Sequence, residues 1–459
     1  MEKEKIQELL RLGLSHGADF IELFFEDTLT RFTMAIDGSL NSSSTSNTYG
    51  VGVRVLQGTR ETYGYTNDLN FAHLKSIVGD LASSFSGGAK EVVPLGEAKP
   101  IKVLAKVYGS KVNRKKIAKR LVELNLLIKG YSAKIVQSRV GISEEVQKVL
   151  IANSKGIYQD DLRVRTRVIF MAVASDGANM QDAYEAPGKS LGVEYLDKID
   201  AEKIALDVAK RSVEMLDAEE FVSQSLPVIL NNGFGGVIFH EACGHPLEAT
   251  AVAKGLSKFA DKVGTQIGST LVTAYDDATQ EGEWGYVNYD DEGNKGERKL
   301  LIKDGILQDY MVDYRNGLKM NHRPNGASRR QNYRFSPTSR MSVTYIDNGH
   351  DNVDDIIKDT KYGLFASHLG GGSVDPATGE FNFSVSEGYM IEEGKLTKKV
   401  RGATLVGYGH EILHLIDRVG NNLSYGQGMC GSISGNVPTD VGQPVLRVSK
   451  MTVGGGGKL

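Results

Sequence analysis

The sequence predicts an α+β protein in two parts. Residues 1–220 read as an N-terminal α/β unit, and residues 221–459 as a mainly antiparallel β unit built around one buried helix. Three observations carry this reading. Amphipathic helical patterns and strand-like runs mix as far as residue 217; after it, short strand-like runs are separated by Gly, Asn and Asp. Glycine totals 53, well above the roughly 7% of average usage, with much of the excess after residue 225. One strongly apolar helical stretch, VIFHEACGHPLEATAVAKG, interrupts the strands of the second part.

The elements follow in chain order. Residues 2–15 form an amphipathic helix with Ile6, Leu9, Leu10 and Leu14 on one face, weakened at its last turn by Gly13. ADFIELFFED and RFTMAIDGSL are two strand-like runs, and GVGVRVLQGTRETYGYT reads as a hairpin around Gln57-Gly58. A helix starts near Asn70, and residues 87–100 form a loop. NRKKIAKRLVELNLLIKG, residues 113–130, is an amphipathic helix whose basic residues form a solvated face. From 134 to 196 the pattern returns to β in AKIVQSRVGIS, VQKVLIANSKG and RVRTRVIFMAVASDG, and residues 200–217 make another helix. PVILNN is then a strand and GFGG a turn into the apolar helix.

Composition narrows the function. The 459 residues call for two or three domains, and 40% hydrophobic with 24% charged residues describe a folded chain. A net charge of −3 without a basic face argues against nucleic acid as a partner. The charged start, MEKEKIQELLRLGLSHG, lacks the apolar centre of a signal peptide. No apolar run approaches the roughly 20 residues of a membrane span. Two cysteines, Cys243 and Cys430, are too few for a disulfide scaffold and suit a reducing cytosol. The expectation is a cytoplasmic protein with no membrane partner.

Two histidine pairs compete as metal motifs. A catalytic zinc wants three protein ligands, an open position and a nearby carboxylate. Residues on an α-helix are about 100° apart, so histidines at i and i+4 sit about 40° apart and face one ion. His410 and His414 of HEILH, with Glu411 beside them, meet that test. His240 and His245 of HEACGH are five apart, about 140° on a straight helix, and fail it. They converge only if the turn widens, as in a π-bulge, or if the helix breaks near Gly244 and Pro246. Cys243, three residues after His240, could reach the same ion on a regular helix. The surroundings reverse the ranking. HEACGH opens a buried helix, where an ionisable cluster needs a reason, and Glu248 can hold the free ring nitrogen of His245. HEILHLIDRVG reads as a surface helix with Ile412, Leu413, Leu415, Ile416 and Val419 inward.

GGVIFHEACGHPLEA, GASRRQNYRFSPTSRMSVTYI near 326–346 and the long segment from GGGSVDPATGEF to GYG near 370–409 resemble the PmbA/TldD family, on its TldD-like metalloprotease branch. The C-terminal MCGSISGNVPTDVGQPVLRVSKMTVGG and the early GVGVRVLQGTRETYGYTNDL are similar to that family as well, so the resemblance spans nearly the whole chain. It implies a metal site of His240, His245 and Cys430 carrying Zn²⁺, with Glu241 as general base and the buried helix as the metal-binding one. It also implies unfolded or small peptides as substrates, and a dimer, with itself or with a PmbA-like protein, enclosing the active site in a shared cavity. By the same resemblance HEILH is coincidental and Cys243 is a small core residue. Read without the family, Cys430 is a buried thiol. Ser432 departs from the family pattern, which often has lysine after Cys-Gly. Two alternatives remain: a gluzincin-like peptidase using His410, Glu411 and His414 with Asp417 or Cys430, and a non-enzymatic regulator that binds a partner protein.

Overall fold

A computed structural model describes residues 1–375 and 378–457; residues 376–377, inside GGGSVDPATGEF, lie outside the described residues. The chain is a mixed α+β protein with several sheets. Strands of four residues or more are numbered in chain order.

The first sheet holds β1 (Phe20–Ile36), β2 (Ser39–Gln57), β3 (Arg60–Thr66), β4 (Ile135–Asn153), β5 (Tyr158–Ser175) and β6 (Met180–Glu185), in the order β3-β2-β1-β4-β5-β6. Every pairing in it is antiparallel. The expected α/β unit is therefore corrected to helices on an antiparallel sheet: tight turns join β1 to β2, β2 to β3, β4 to β5 and β5 to β6, and the long connection through α2 and α3 brings β4 back antiparallel to β1. The two strand-like runs before residue 40 merge into β1. Its end is set by Asp37-Gly38, both at positive φ (48° and 84°), the two-residue hairpin geometry that asparagine, aspartate and glycine tolerate. The hairpin expected at Gln57-Gly58 joins β2 to β3.

Helices α1 (Lys3–Gly13), α2 (Phe71–Ala82), α3 (Arg114–Gly130) and α4 (Ala201–Glu214) cover parts of this sheet. Ile6, Leu9 and Leu10 of α1 pack with Leu23, Val53 and Val55. Leu121, Leu124 and Ile128 of α3 and Ala205, Val208 and Ala209 of α4 pack with Val140, Val168 and Phe170. Asn70, Asn113 and Asp200 cap α2, α3 and α4 through side-chain oxygens that accept backbone N–H groups. Asp200 accepts from the Lys203 N–H at 3.1 Å. Asp200→Ala is expected to cost about 1 kcal/mol of stability, measured by chemical denaturation.

Beyond residue 220 two larger sheets meet. One orders β9 (Arg298–Lys303), β8 (Ala274–Asp277), β10 (Val343–Ile346), β17 (Gly435–Gln443) and β16 (Ser424–Ser432), with β16 at the edge. In the other, β11 (Tyr362–Val374), β7 (Gln224–Leu230), β18 (Leu446–Gly454), β14 (Ala403–Tyr408) and β12 (Glu380–Glu392) are neighbours in that order. β12 pairs back onto β11 and closes a ring of five strands. β13 (Lys395–Arg401) extends β12, and β15 (Ile416–Val419) adds to β18. Most pairings are antiparallel, but β10–β17 and β7–β11 are parallel. The largest hydrophobic cluster spans Phe221 to Val453 and includes Phe239, Ala242, Cys243 and Leu247 of the HEACGH stretch. Among the described residues no helix is long and apolar enough to cross a membrane.

Candidate metal centre

The VIFHEACGHPLEATAVAKG stretch is not the single regular helix its pattern predicts. A 3₁₀ turn (Phe234–Gly236) and a short α-turn (Val237–Phe239) lead into a π-turn, His240–Gly244; a second 3₁₀ turn (His245–Leu247) and Ala249–Val252 follow. Gly236 is required by close packing: a Cβ there would stand 2.6 Å from the Gly442 backbone nitrogen on β17. The His245 N–H donates to the His240 carbonyl, the i+5 to i bond of a widened turn. Residues five apart thereby stand nearly one above the other. Pro246, early in the next turn, breaks any regular continuation.

The widened turn points both imidazoles at one atom. His240 Nε2 lies 3.2 Å from Cys430 Sγ, and His245 Nε2 lies 3.3 Å from it. The ring planes are 82° apart with centroids 5.1 Å apart. Cys430 comes from the edge strand β16, so two parts of the chain about 190 residues apart meet at this point. Among the described residues these three form the one group of potential ligands whose donor atoms lie within 4.8 Å of one another. His240 and Cys430 are buried, and His245 is mostly so. Glu241 stands at the same turn, its Oε2 3.7 Å from His245 Nε2 and its side chain 26% exposed.

Electrostatics match a thiolate between two imidazoles. Burial pushes the Cys430 thiol up, but His240 and His245 outweigh it and draw it well below the usual thiol range. Burial disfavours the charged His245 ring, yet Glu248 and Cys430 lift it well above the usual imidazole range. Glu248 Oε2 sits 3.1 Å from His245 Nδ1, which turns Nε2 toward the sulfur. Cys243 is different. Burial alone raises its thiol, and its sulfur donates to the Gly409 carbonyl at 3.6 Å, a small core group facing away from the triad.

Sequence reasoning missed Arg340. This fully buried guanidinium donates to the Cys430 carbonyl, to Ser434 Oγ at 2.9 Å and to the Gly435 carbonyl at 2.7 Å. Its Nε is 3.9 Å from Glu248 Oε1. One side chain thus ties the hairpin that bears Cys430 to the carboxylate that orients His245. Arg340 lies in the GASRRQNYRFSPTSRMSVTYI segment that carries the resemblance, but nothing in that segment ties it to Cys430.

HEILH does not form the helix its spacing predicts. Gly409–Ile412 makes one α-turn, Leu413–Leu415 is 3₁₀, and β15 begins at Ile416. Ile416 and Val419 are buried as expected, but by a strand. His414 is exposed, and Asp417 is held through both oxygens by Arg447 at 2.9 and 2.8 Å. Gly409 packs against the π-turn: a Cβ there would stand 2.0 Å from the Ala242 carbonyl oxygen.

Two nitrogens and one thiolate, with an open side and a neighbouring carboxylate, are the donor set of a catalytic zinc. The fold and this site together define a mixed α+β protein with a metallopeptidase-type cluster on an irregular helical turn. The chain belongs to the PmbA/TldD metallopeptidase family. Three models described as PmbA/TldA metallopeptidase domains match it: domain 1 at residues 21–84, the central domain at 109–216 and the C-terminal domain at 223–455. It is 33% identical to the "Metalloprotease TldD homolog" of Haemophilus influenzae over 96% of this chain and 94% of that protein. The "Zinc metalloprotease TldD homolog" of Saccharolobus solfataricus is 26% identical over 74% of each chain. A crystal structure from Thermotoga maritima, described as a candidate modulator of a DNA gyrase, shares the fold at a TM-score of 0.80 and 18% identity, covering 98% of this chain and 99% of that one.

Proposed function

We propose that this chain is a zinc-dependent peptidase acting on unfolded or small peptides, with the metal held by His240, His245 and Cys430 and with Glu241 as general base. The observation that carries the reading is the π-turn, which brings two imidazoles five residues apart onto the Cys430 sulfur. The zinc in the name of the Saccharolobus relative supports the choice of metal.

Bound zinc supplies a Lewis acid and a water acidified toward neutrality. Glu241, at the partly open side of the turn, takes a proton from the attacking water and passes it to the leaving amine. Glu248 keeps His245 in the tautomer that offers Nε2 inward. Arg340 holds Cys430 in place through its carbonyl. β16 ends its sheet, but the Gln427, Gly428 and Cys430 carbonyls already accept from Arg167, Trp284 and Arg340. Two structural units, 1–220 and 221–459, are part of the reading; they are supported by three hydrophobic clusters that fall on either side of residue 220, while a smaller one packs Tyr333 with Phe24, Val149 and Ile151 across it. So are a cytoplasmic location and a dimer, either of two copies or with a PmbA-like chain.

Metal analysis tests the reading. Purified wild-type chain is expected to carry zinc in equimolar amount, and Cys430→Ser to be substoichiometric after dialysis. His410→Ala and His414→Ala are expected to keep their zinc. Unchanged zinc in Cys430→Ser would remove that residue from the site.

A further inference from the structure

β5 carries three arginines at alternate positions, Arg163, Arg165 and Arg167, on the sheet face opposite the one that α3 and α4 cover. The first two are neutralised. Arg163 donates to Asp161 at 3.0 Å and Asp291 at 2.6 Å, and Arg165 lies 3.5 Å from Glu145. Arg167 has no carboxylate within 4.0 Å among the described residues. It is nevertheless fixed: Nε donates to the Ala186 carbonyl at 3.0 Å, Nη2 to the Gln427 carbonyl at 3.0 Å, and the guanidinium lies 5.7 Å from the Trp284 ring centroid. A half-buried, immobilised cation without a counter-ion marks a place where an anion is meant to arrive.

Arg167 lines a cavity of about 1030 Å³ between β5, β6 and α4 on one side and β11, β12 and β16 on the other. The glutamates in its wall already have partners. Glu185 accepts from Arg211 at 2.8 Å, and Glu214 and Glu387 lie 2.7 and 3.0 Å from Lys399. Asp182 and Asp207 are exposed. Besides Tyr184, the acid that acts on Arg167 is Asp440, which is tied to Gln427 Nε2 and the Gly285 N–H. Burial and then Glu283 push Asp440 up to about 7, so it is a weak counter-charge.

The cavity wall stops one residue short of Cys430 along β16. Gln427, Gly428 and Met429 line it, and Cys430 is the next residue of β16. Three residues of strand span about 10 Å. We propose that Arg167 binds a carboxylate of the peptide substrate about three residues from the scissile bond, as a specificity-determining residue; this rests on the peptidase reading above. The carboxylate is either the free C-terminus, in which case short C-terminal peptides are released, or an acidic side chain. A guanidinium fork suits a carboxylate in bidentate contact, and a charge-assisted pair of this kind corresponds to at least about tenfold in affinity.

The test measures binding, not cleavage. Full-length Glu241→Gln protein is titrated with three N-terminally labelled peptides of one apolar sequence: a free acid, a C-terminal amide, and an amide with glutamate in place of its third residue from the end. The free acid or the glutamate peptide is expected to bind at least about tenfold tighter than the plain amide, and the tighter one identifies the source. Arg167→Met should abolish the ratio and Arg167→Lys should keep part of it, which a merely structural role would not produce. Equal affinity for all three peptides in protein with Arg167 intact overturns the proposal, as does a ratio that survives Arg167→Met; the first comparison decides even if Arg167→Met fails to fold. Discrimination in a chain that hydrolyses no peptide would refute the peptidase reading and leave the carboxylate site standing. Cleavage without discrimination would do the reverse.

Discussion

Glu241→Gln is expected to keep its zinc and to lose hydrolysis of an unfolded peptide by at least about a hundredfold, and by up to about ten thousandfold. The substitution preserves size and hydrogen-bonding reach and removes only the ability to take a proton. Glu241 is not a packing residue: it is part-exposed on the π-turn, unlike buried Ala242 and Cys243 beside it. Stability should therefore move by no more than about 0.5 kcal/mol. His240, His245 and Cys430 are untouched, so metal content should match wild type. That separates this variant from Cys430→Ser, in which activity and zinc should fall together. The decisive measurement is kcat at saturating zinc. A Glu241→Gln enzyme with full turnover would take the general-base role from this residue.

The candidate site was legible through its buried surroundings and the family resemblance, because spacing alone ranked HEILH above HEACGH. Histidines five apart with Glu248 three further on demand a widened or broken turn, and a π-turn followed by Pro246 is present. The i+4 pair in HEILH passed the periodicity test that HEACGH fails, and still misleads. Periodicity assumes a helix, and there the chain leaves helix at Leu413 to supply β15. What spacing could not show was the meeting of distant segments. Cys430 reaches the site only because β16 pairs with β17 and β17 packs on Gly236, a contact between parts of the chain far apart in sequence. Arg340 and the arginine row of β5 were invisible for the same reason. Strand boundaries also misread: two apolar runs split by a polar stretch are one 17-residue strand, because its middle is held on both sides by β2 and β4.

Arg54→Met is expected to destabilise the chain by about 3–5 kcal/mol at pH 9, where the Glu292 carboxyl it faces is ionised, the cost of breaking a buried ion pair by deleting one partner. Arg54 is fully buried on β2 and donates to Glu22 at 3.0 Å and Glu292 at 2.7 Å. Glu22 keeps a second partner in Arg330, but among the described residues the Glu292 carboxyl is left with the Tyr314 N–H at 2.9 Å. Burial pushes the Glu292 carboxyl up to about 8, against the opposing pull of Arg54. A carboxyl raised in the folded state stabilises fully below its unfolded pKa, and that contribution is lost as pH rises toward its folded pKa. Without Arg54 the folded pKa climbs further, so the loss continues where the wild type has levelled off. The deficit of Arg54→Met should therefore widen above pH 8, and denaturation midpoints at pH 7 and pH 9 measure it. A deficit below about 1 kcal/mol that stays flat with pH would show that the cluster is not held by charge. The consequence reaches the candidate site as well. Glu22 and Glu292 join β1 and β2 to residues 290–292, and Asp291 in turn holds Arg163 on β5. Loosening that corner frees the strand that sets Arg167 against β16, so peptide binding should weaken in Arg54→Met before zinc is lost.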